Sequence, residues 1–502
     1  DMMRTYGVYE MFVRNDKVSS NRLALVDGDS TLSFRQLHIQ VLRTAHYLQD
    51  RGVEAGDRLA LLCMNRIEFF ILLGAAAKLG AILVPLNWRL SQEELRYIVG
   101  DCRPGLFFCD HPHLDRATEI AELSDVALID LHQLLGDDLK ISENVENSSN
   151  EQGIDGDTPL CIIYTAAVEG YPRGAVLSHN NLIAANLQVI TSMGLTTADV
   201  NLNMLPLFHI TGLNLALAVM QAGGKNIILE KYDEHRTLGL TALEKVTVWG
   251  SFPPILSRII EQLENGDHDI SSLKYIVGLD GPDTIKRIEE LSNAKFWILY
   301  GQSETTGFVT FGKASEKYGS AGKQGGLTSY CLLDENDCDV EVGEVGEIAV
   351  RGPLVFQGYW NQPEANERTF RSNWLHTGDL GMMDDQGYLY FKGRKPEKDL
   401  IKPGGENVYP AEVETAILAH DDVKAVCVIG VPDSQFGEGV KAVCVLEDDR
   451  ALEKKDLIEF VAGRIARYKK PRYVEFVKAL PQDNNGIDRS KVKEIWGRED
   501  ST

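Results

Sequence analysis

The sequence predicts an α/β fold with a doubly wound parallel sheet, and three observations support that prediction. Strand and helix patterns alternate through residues 33–109, as they do in parallel sheets covered by helices. Short apolar runs of the same kind resume at residue 161 and continue to residue 279. From about Gly343 the pattern changes to β-strands, and residues 395–502 mix helices with strands. We therefore expect a large α/β part followed by a small α+β part.

The elements of the α/β part have recognisable starts and ends. Ser33 and Gln36 form a capping-box pattern at the start of the first helix of this series. The longest apolar stretch, residues 69–85, is divided by Lys78 and Gly80, and neither half reaches the ~20 residues of a membrane span. It predicts a buried helix followed by a buried strand. The predicted strands lie at residues 59–63, 81–86, 106–109, 161–165, 201–207, 226–232, 245–251 and 274–279.

The charge of the chain bears on its partners. Its 502 residues include 51 Lys and Arg against 74 Asp and Glu, which gives a formal net charge of −23. Nucleic acids and anionic membranes are polyanions, so this charge disfavours both as partners. A local basic pocket for a small anionic substrate is still compatible with it.

The cysteines and the first residues of the sequence indicate the cellular compartment of the protein. Eight cysteines occur without a CxxC pair, which argues against a zinc ribbon or a secreted disulfide framework. Cys427 and Cys444 lie within apolar runs, as reduced buried thiols do. The first residues lack the apolar segment of a signal peptide. We expect a cytoplasmic protein without a transmembrane segment, and the oligomeric state is open, with a homodimer among the assemblies that the sequence allows.

A phosphate-binding loop is one interpretation of residues 161–179, CIIYTAAVEGYPRGAVLSH. They predict a buried strand, a glycine-containing loop and then a helix. Backbone amides that converge at a helix start can cradle a phosphate. The segment matches neither the Walker A nor the Rossmann pattern. From these residues alone, a phosphate loop and an ordinary strand-to-helix turn are both open.

Two further segments place acidic residues beside predicted strands. In ILYGQSETTG (298–307), Glu304 follows an apolar strand at the edge where α/β sheets bind ligands, and it suits a Mg²⁺ that bridges phosphate oxygens. Ser303 can donate to one of these oxygens, although helix capping by Ser303 or Thr305 explains the spacing equally well. In WLHTGDLG (374–381), Asp379 lies in a glycine-flanked turn, where a ribose-binding role and a structural role are both open.

The motifs, taken in order, resemble those of the acyl-adenylate-forming superfamily. They read YTxxxxGxPRG, LPLFH, YGQSETTG, HTGDLG, GR…KDLIKPGGENVYPAEVE and RYKKP, and they span nearly the whole chain. The superfamily includes acyl- and aryl-CoA synthetases, stand-alone adenylation domains and beetle luciferase, and GGENVYPAEVE is especially similar to the CoA ligases. In these enzymes a carboxylate and ATP give an acyl-adenylate and pyrophosphate, and a thiol then displaces AMP.

The resemblance implies a domain organisation and an activity. It implies a large N-terminal domain, residues 1–394, made of two stacked doubly wound α/β subdomains and a β-barrel. A small mobile α+β C-terminal domain, residues 395–502, would rotate between the two half-reactions. The implied activity is that of an AMP-forming acid–CoA ligase that uses ATP, Mg²⁺, CoA and a small carboxylic acid. Two alternatives are an adenylation-impaired homologue that binds nucleotide or acyl-CoA, and an adenylating enzyme that transfers to a carrier protein.

The resemblance also implies roles for individual residues. Glu304 would coordinate Mg²⁺, and Lys398 would lie at the hinge between the domains. His209 would lie where the acyl carboxylate enters, unless it is a hydrogen-bonded histidine at a strand end. The residues implied for the thioester step are Lys402, Gly404, Gly405 and Glu406. The residues implied to bind the nucleotide are Thr165, Gly170, Arg173, Gly174, Tyr300, Gln302, Ser303, Asp379 and Arg394.

The phosphate loop departs from the superfamily pattern. Most relatives carry Ser-Gly-Thr-Thr-Gly there, whereas residues 166–170 of this chain read Ala-Ala-Val-Glu-Gly. Hydroxyl donors to the β- and γ-phosphates are lost, and Glu169 adds a negative charge near a polyanion. Backbone amides and Arg173 are retained, so we expect weaker or slower use of ATP.

The C-terminal lysine motif departs as well. Relatives read Pro-Lys-Thr-x-x-Gly-Lys-Ile-x-Arg, and the second lysine bridges the carboxylate and the α-phosphate during adenylation. Residues 481–489 read Pro-Gln-Asp-Asn-Asn-Gly-Ile-Asp-Arg, without that lysine. Loss of such a donor costs on the order of 10²–10³ in rate. Three explanations are open: a modified or disordered lysine missing from the printed sequence, a deletion by engineering, or natural absence with Lys491 or Lys493 in its place. The intact pattern around the gap favours the first.

Overall fold

The computed structural model of the chain describes residues 6–134, 154–165, 171–395, 400–448, 450–483 and 486–498. Numbered in chain order, the helices are α1 (Val8–Ser19), α2 (Phe34–Gln49), α3 (Ile67–Leu79), α4 (Gln92–Cys102), α5 (Leu114–Ser124), α6 (His179–Met193), α7 (Ile210–Gln221), α8 (Glu234–Glu244), α9 (Ile255–Asn265), α10 (Pro282–Leu291), α11 (Pro363–Thr369), α12 (Pro410–Leu418), α13 (Lys454–Ala462) and α14 (Arg489–Trp496). The strands are β1 (Leu23–Asp27), β2 (Ser30–Ser33), β3 (Arg58–Leu62), β4 (Ile82–Pro85), β5 (Leu106–Cys109), β6 (Ala127–Asp130), β7 (Pro159–Thr165), β8 (Arg173–Ser178), β9 (Val200–Asn203), β10 (Lys225–Ile228), β11 (Val248–Ser251), β12 (Tyr275–Gly278), β13 (Lys295–Gln302), β14 (Gly307–Lys313), β15 (Lys323–Gln324), β16 (Ser329–Leu333), β17 (Val345–Arg351), β18 (Phe370–Arg371), β19 (Trp374–Met383), β20 (Leu389–Arg394), β21 (Val423–Asp433), β22 (Gly437–Leu446), β23 (Tyr473–Phe476), β24 (Gln482–Asp483) and β25 (Gly486–Ile487).

The first large sheet has six strands in the order β6-β5-β3-β4-β7-β8. All neighbours are parallel except the antiparallel pair β7–β8. The chain winds outward in both directions from β3 and β4, as in a doubly wound sheet. Ser33 and Ser91 complete capping boxes at the starts of α2 and α4, and residues 67–78 of α3 are all buried. The predicted capping box and the predicted buried helix are thereby confirmed.

The second large sheet has nine strands in the order β15-β14-β13-β12-β11-β9-β10-β1-β2. The six strands from β13 to β1 are parallel to one another, and β14, β15 and β2 at the two edges are antiparallel. Strand β10 lies on one side of β9 and β11 on the other, so the winding reverses between β9 and β11. Ligands of open α/β sheets bind outside the carboxyl ends of the strands at such a reversal. The segments that follow β9 and β11 are therefore the place where a site is expected.

A shared core stacks the two large sheets on each other. One apolar cluster contains Leu25 and Ile228 from the nine-stranded sheet together with Leu61 and Leu83 from the six-stranded sheet. Close packing of this kind fixes the position of one sheet relative to the other. In the described residues, no helix is long and apolar enough to cross a membrane.

The β-rich part and the C-terminal domain follow. A five-stranded antiparallel sheet, β16-β17-β19-β18 with β20 beside β19, takes the place of the predicted barrel. The C-terminal domain contains the three-stranded sheet β21-β22-β23, the separate pair β24–β25 and helices α12, α13 and α14. Cys427 and Cys444 are buried in it, as predicted. The boundary after residue 394 stays a prediction.

The segment after β7 differs from the prediction. The sequence predicts a loop that leads directly into a helix, but β8 intervenes, antiparallel to β7, and α6 begins only at His179. Gly174 permits this close pairing, since a Cβ there would lie 2.5 Å from Cγ2 of Ile162. A loop that ends in a strand offers no helix N-terminus to a phosphate. The helix N-terminus on which the phosphate-loop interpretation depends is therefore not found in this position.

Candidate active site

Asp379 of β19 and Tyr300 of β13 join two sheets. The Tyr300 hydroxyl donates to Oδ2 of Asp379 at 2.8 Å, and both side chains are buried. Burial, followed by the charge of Asp379, raises the pKa of Tyr300, so the phenol stays protonated and can donate. Oδ1 of Asp379 lies 3.7 Å from Nε of Arg394, its cross-strand neighbour on β20. That Nε is buried without a hydrogen-bond partner among the described residues. Buried polar atoms are usually hydrogen-bonded, so this N–H is available to donate to a polar group of a ligand.

Glu304 lies in the 3-10 turn Ser303–Thr305 at the end of β13. The residue is 6% exposed, and its Oε1 accepts a hydrogen bond from the Tyr359 hydroxyl at 2.7 Å. Tyr359 forms a β-bridge with Ala175 of β8, and the Arg173 guanidinium carbon lies 5.7 Å from the centre of its ring. Glu304 is thereby connected to the strand that follows the candidate phosphate loop.

Tyr409 of the C-terminal domain lies among these residues. It is 5% exposed, and burial raises its pKa. The charges of Glu304 and Asp379 raise this pKa further, whereas those of Arg173 and Arg394 lower it. Side chains from the separate predicted motifs are therefore close enough to one phenol to affect its ionisation. Tyr409 was not predicted as a site residue, although it lies within GGENVYPAEVE.

The other predicted nucleotide residues lie beside this group. Oγ1 of Thr165 donates to the Arg173 carbonyl at 3.4 Å, across the β7–β8 pair. The N-cap residue of the 3-10 turn is Gln302, and neither Ser303 nor Thr305 occupies that position. Thr305, the third residue of the turn, completes the capping box, since its Oγ1 accepts from the Gln302 amide at 3.0 Å. Ser303 is partly exposed. The predicted site residues Gly170 and Lys398 lie outside the described residues.

A second group of side chains connects the two domains through Glu406. Its carboxylate is buried, with Oε2 3.0 Å from Nε2 of His209 and Oε1 accepting from Nη1 of Arg89. Burial opposes ionisation of Glu406, but His209 and Arg89 outweigh it and lower the pKa to about 2. His209 is the N-cap residue of α7 in the chain that follows β9. The contact therefore lies at the expected reversal of the nine-stranded sheet. Arg89 was not predicted.

The turn before Glu406 packs against the loop after β11. Gly404 and Gly405 have φ values of 59° and 85°, in the left-handed region that favours glycine. A Cβ on Gly404 would lie 3.0 Å from the Pro253 carbonyl oxygen, and one on Gly405 would lie 3.2 Å from the Phe252 ring. A side chain at either glycine would crowd this contact between the two domains.

Lys402 precedes this turn. Its backbone N–H donates to Oε2 of Glu438 at 2.7 Å, and the Gly404 N–H donates to the Phe436 carbonyl at 3.0 Å. These bonds fix residues 402–404 to the β21–β22 hairpin of their own domain. The residues predicted for the thioester step are thus held to the C-terminal domain by these bonds.

The C-terminal lysine motif lies within the C-terminal domain. Gly486 and Ile487 are consecutive residues of β25, and the full chain contains no lysine between them. The explanation favoured from the sequence, a modified or disordered lysine missing from the printed sequence, stays a prediction. Arg489 binds the Glu414 carboxylate at 2.6 Å, which anchors α14 to its own domain. Lys491 and Lys493 are exposed on α14.

The geometry can be compared with known proteins. The sequence pattern of the AMP-binding enzyme family matches residues 12–360, and that of the AMP-binding enzyme C-terminal domain matches residues 412–486. The chain belongs to the AMP-binding enzyme family. Among AMP-binding enzymes, it is 32% identical to the indoleacetate–CoA ligase of Aromatoleum aromaticum over 501 residues, which covers 97% of this chain and 98% of that protein.

Two solved structures of another AMP-binding enzyme, o-succinylbenzoate CoA synthetase from Bacillus subtilis, show the same fold. A double mutant with the product analogue OSB-NCoA has a TM-score of 0.86 at 27% identity, covering 97% of this chain and 98% of that chain. The complex with the acyl-adenylate intermediate OSB-AMP has a TM-score of 0.70 at 28% identity with the same coverage. In overall arrangement, this AMP-binding enzyme is closer to the product-analogue complex.

Proposed function

We propose that this chain is an ATP-dependent acid–CoA ligase, which forms an acyl-adenylate and then transfers the acyl group to CoA. The observation that carries the proposal is the contact of Glu406 of the C-terminal domain with His209 and Arg89 of the large domain. Arg394, beside Asp379, also donates a hydrogen bond to the Leu400 carbonyl of the C-terminal domain. These contacts connect the proposed nucleotide residues with the C-terminal domain. The CoA ligases among its relatives, aligned over nearly their full length, support the same activity.

In the nucleotide site, we propose that Asp379 accepts hydrogen bonds from the ribose hydroxyls. Tyr300 fixes the carboxylate of Asp379, and Arg394 lies beside it. Arg173 supplies positive charge to the phosphates, on the strand that directly follows the loop. The residues that complete this site are Thr165, Gly170, Gly174, Gln302 and Ser303.

Glu304 is the proposed ligand for Mg²⁺. Mg²⁺ is usually held by one or two carboxylates together with substrate phosphates and water, and a single carboxylate oriented by Tyr359 fits that donor set. The described residues contain no cluster of three or more His, Cys, Asp and Glu side chains that could hold a metal alone. Bound Mg²⁺ would neutralise charge on the phosphates.

We further propose that the domain orientation seen here is that of the thioester step. Glu406 contacts His209, and the turn at residues 404–405 packs against the loop after β11. The higher TM-score to the product-analogue complex supports this interpretation. His209 then lies at the acyl entrance, Lys402 and the turn serve acyl transfer, and Lys398 is the proposed hinge for rotation to the adenylation step.

The purified chain is expected to release pyrophosphate only when ATP, Mg²⁺ and an acid substrate are present. Because a thiol must displace AMP, multiple turnovers and AMP release should also require CoA. The measurement is a pyrophosphate assay with benzoic, arylacetic and fatty acids, with and without CoA, followed by mass spectrometry of the thioester. Reactions that lack the acid are the control. No acid-dependent pyrophosphate or AMP across the panel would contradict the proposal.

Replacing Glu406 by Gln is expected to slow acyl transfer to CoA about 10-fold, since hydrogen bonds to charged groups are worth about 1.5–3 kcal/mol. The neutral amide cannot balance Arg89, so the contact with His209 weakens. The measurement is single-turnover transfer from preformed acyl-adenylate, beside acid-dependent ATP–pyrophosphate exchange, which should be unchanged. Glu447→Gln, at an exposed position of the same domain, is the control. Equal slowing of both half-reactions would refute the assignment.

A further inference from the structure

A buried lysine lies at the contact between the two domains. Lys469 is 1% exposed, although lysine is almost never fully buried unless it is paired. Its Nζ donates to Oε1 of Glu94 on α4 of the large domain and to Oε1 of Glu412 on α12 of its own domain. We call these residues the Glu94–Lys469–Glu412 cluster. It is an ionic link across the domain interface, separate from the nucleotide site.

The surroundings of the cluster are apolar. Ala466, three residues before Lys469, belongs to the same apolar cluster as Leu90 and Leu95 of the large domain, and Tyr468 packs against that cluster. An ammonium in such surroundings is costly unless it is paired and hydrogen-bonded. Lys469 is therefore well accommodated here because both Glu94 and Glu412 face it, and Glu94 is the partner from the large domain.

The charges within the cluster are nearly balanced. Burial raises the pKa of Glu412 to about 7. Burial also opposes ionisation of Glu94, but Lys469 outweighs it and lowers the pKa of Glu94. One ammonium, one carboxylate and one partly protonated carboxyl group make the cluster close to neutral, which reduces the cost of burying it.

The cluster is linked to the candidate active site through one short segment. Residues 89–94 of the large domain contact the C-terminal domain twice, through Arg89 to Glu406 and through Glu94 to Lys469. Glu94 is fixed in place because its carboxylate also accepts from the Ser91 amide at 2.6 Å in the capping box of α4. The ion pair between the domains is therefore five residues along the chain from the arginine that contacts Glu406.

We propose that Lys469 is a positioning residue for the thioester step: by binding Glu94 it holds the C-terminal domain in the orientation that places Glu406 beside His209. This inference rests on the proposed CoA-ligase function. Lys469 acts through Glu94 and does not touch the reacting groups. When the domain rotates for adenylation, Glu94 and Lys469 separate, so the pair stabilises one orientation and serves one half-reaction.

Lys469→Met, which keeps the length of the side chain and removes its charge, is expected to slow acyl transfer from bound acyl-adenylate to CoA about 10-fold. Acid-dependent ATP–pyrophosphate exchange should stay within about two-fold of wild type, because adenylation uses the other orientation. Glu94→Gln removes the charge on the opposite side of the interface, keeps the capping box, and should act in the same direction. Lys454→Met breaks an exposed ion pair with Glu475 inside the C-terminal domain and should leave both half-reactions unchanged.

Hydrogen exchange gives a readout that needs no activity. Lys469→Met and Glu94→Gln should both accelerate amide exchange in residues 89–94 and 402–408, while exchange in the central strands of the nine-stranded sheet stays unchanged. If Lys469→Met does not fold, the same measurements on Glu94→Gln test the positioning role. Equal slowing of both half-reactions, or unchanged exchange at the two contacts, overturns the positioning role. Absence of acid-dependent pyrophosphate exchange in the wild type contradicts the CoA-ligase function instead, and the exchange measurement still tests the ionic link.

Discussion

Insertion of one lysine between Gly486 and Ile487 is expected to raise the rate of acid-dependent ATP–pyrophosphate exchange by about 10²–10³. The superfamily pattern places a lysine there that bridges the carboxylate and the α-phosphate, and the chain lacks it. A preorganised cation at a developing negative charge lowers the barrier of the step in which that charge forms. The measurement is the exchange rate at saturating ATP and acid, compared with the unmodified chain.

The matched control is insertion of alanine at the same point, which lengthens the segment without adding a charge. It should give no gain. Acyl transfer from preformed adenylate should also be unaffected by the lysine, because Arg489 anchors this end of the chain to its own domain in the orientation described. A lysine insertion that leaves the exchange rate unchanged would show that another cation already serves adenylation, with Lys491 and Lys493 as the first residues to test.

Replacing Glu304 by Gln is expected to lower the adenylation rate by about 10²-fold, in line with the several kcal/mol that a metal ion supplies to transition-state charge stabilisation. Glutamine keeps an oxygen that can accept from the Tyr359 hydroxyl, so the local structure should persist. The lost charge is the one proposed to hold Mg²⁺. The measurement is ATP–pyrophosphate exchange as a function of Mg²⁺ concentration, and the variant should need more Mg²⁺ for half-maximal rate.

Glu316→Gln is the control for this substitution. Glu316 is exposed and follows β14, the strand that pairs with β13. It should change neither the rate nor the Mg²⁺ requirement. A Glu304→Gln variant that loses activity with an unchanged Mg²⁺ requirement would assign Glu304 a structural role. Thermal unfolding of both variants separates this outcome from simple destabilisation.

Local signals explain why much of the fold was predictable. The capping boxes at Ser33 and Ser91 depend on residues three positions apart, and the burial of α3 follows from its largely apolar sequence. Glu304 and Asp379 could be selected as candidates for the same reason, because each lies in a short motif at the end of, or within, a recognisable strand. Such features need no knowledge of distant segments.

Features that depend on distant segments were missed. Arg89 and Glu406 are 317 residues apart, and Glu94 and Lys469 are 375 residues apart. No local sequence pattern can therefore predict either contact. Strand β8 was missed because it is defined by pairing with β7, and its own six residues carry only a weak alternation. The predicted strand 201–207 ends at Asn203, before Pro206. The backbone nitrogen of proline carries no hydrogen, so it cannot donate a sheet hydrogen bond.

Arg394 gives the proposed catalytic cycle a thermodynamic constraint. Its guanidinium faces Asp379 with Nε and donates from Nη1 to the Leu400 carbonyl, at the start of the described part of the C-terminal domain. A group shared in this way couples ligand occupancy to domain orientation, and such coupling is reciprocal. If AMP at Asp379 favours one orientation, that orientation must change the affinity for AMP by the same factor. We therefore expect the free energy of AMP release to include the free energy of the return rotation. A nucleotide analogue that binds tightly at this site should also hold the C-terminal domain in one orientation.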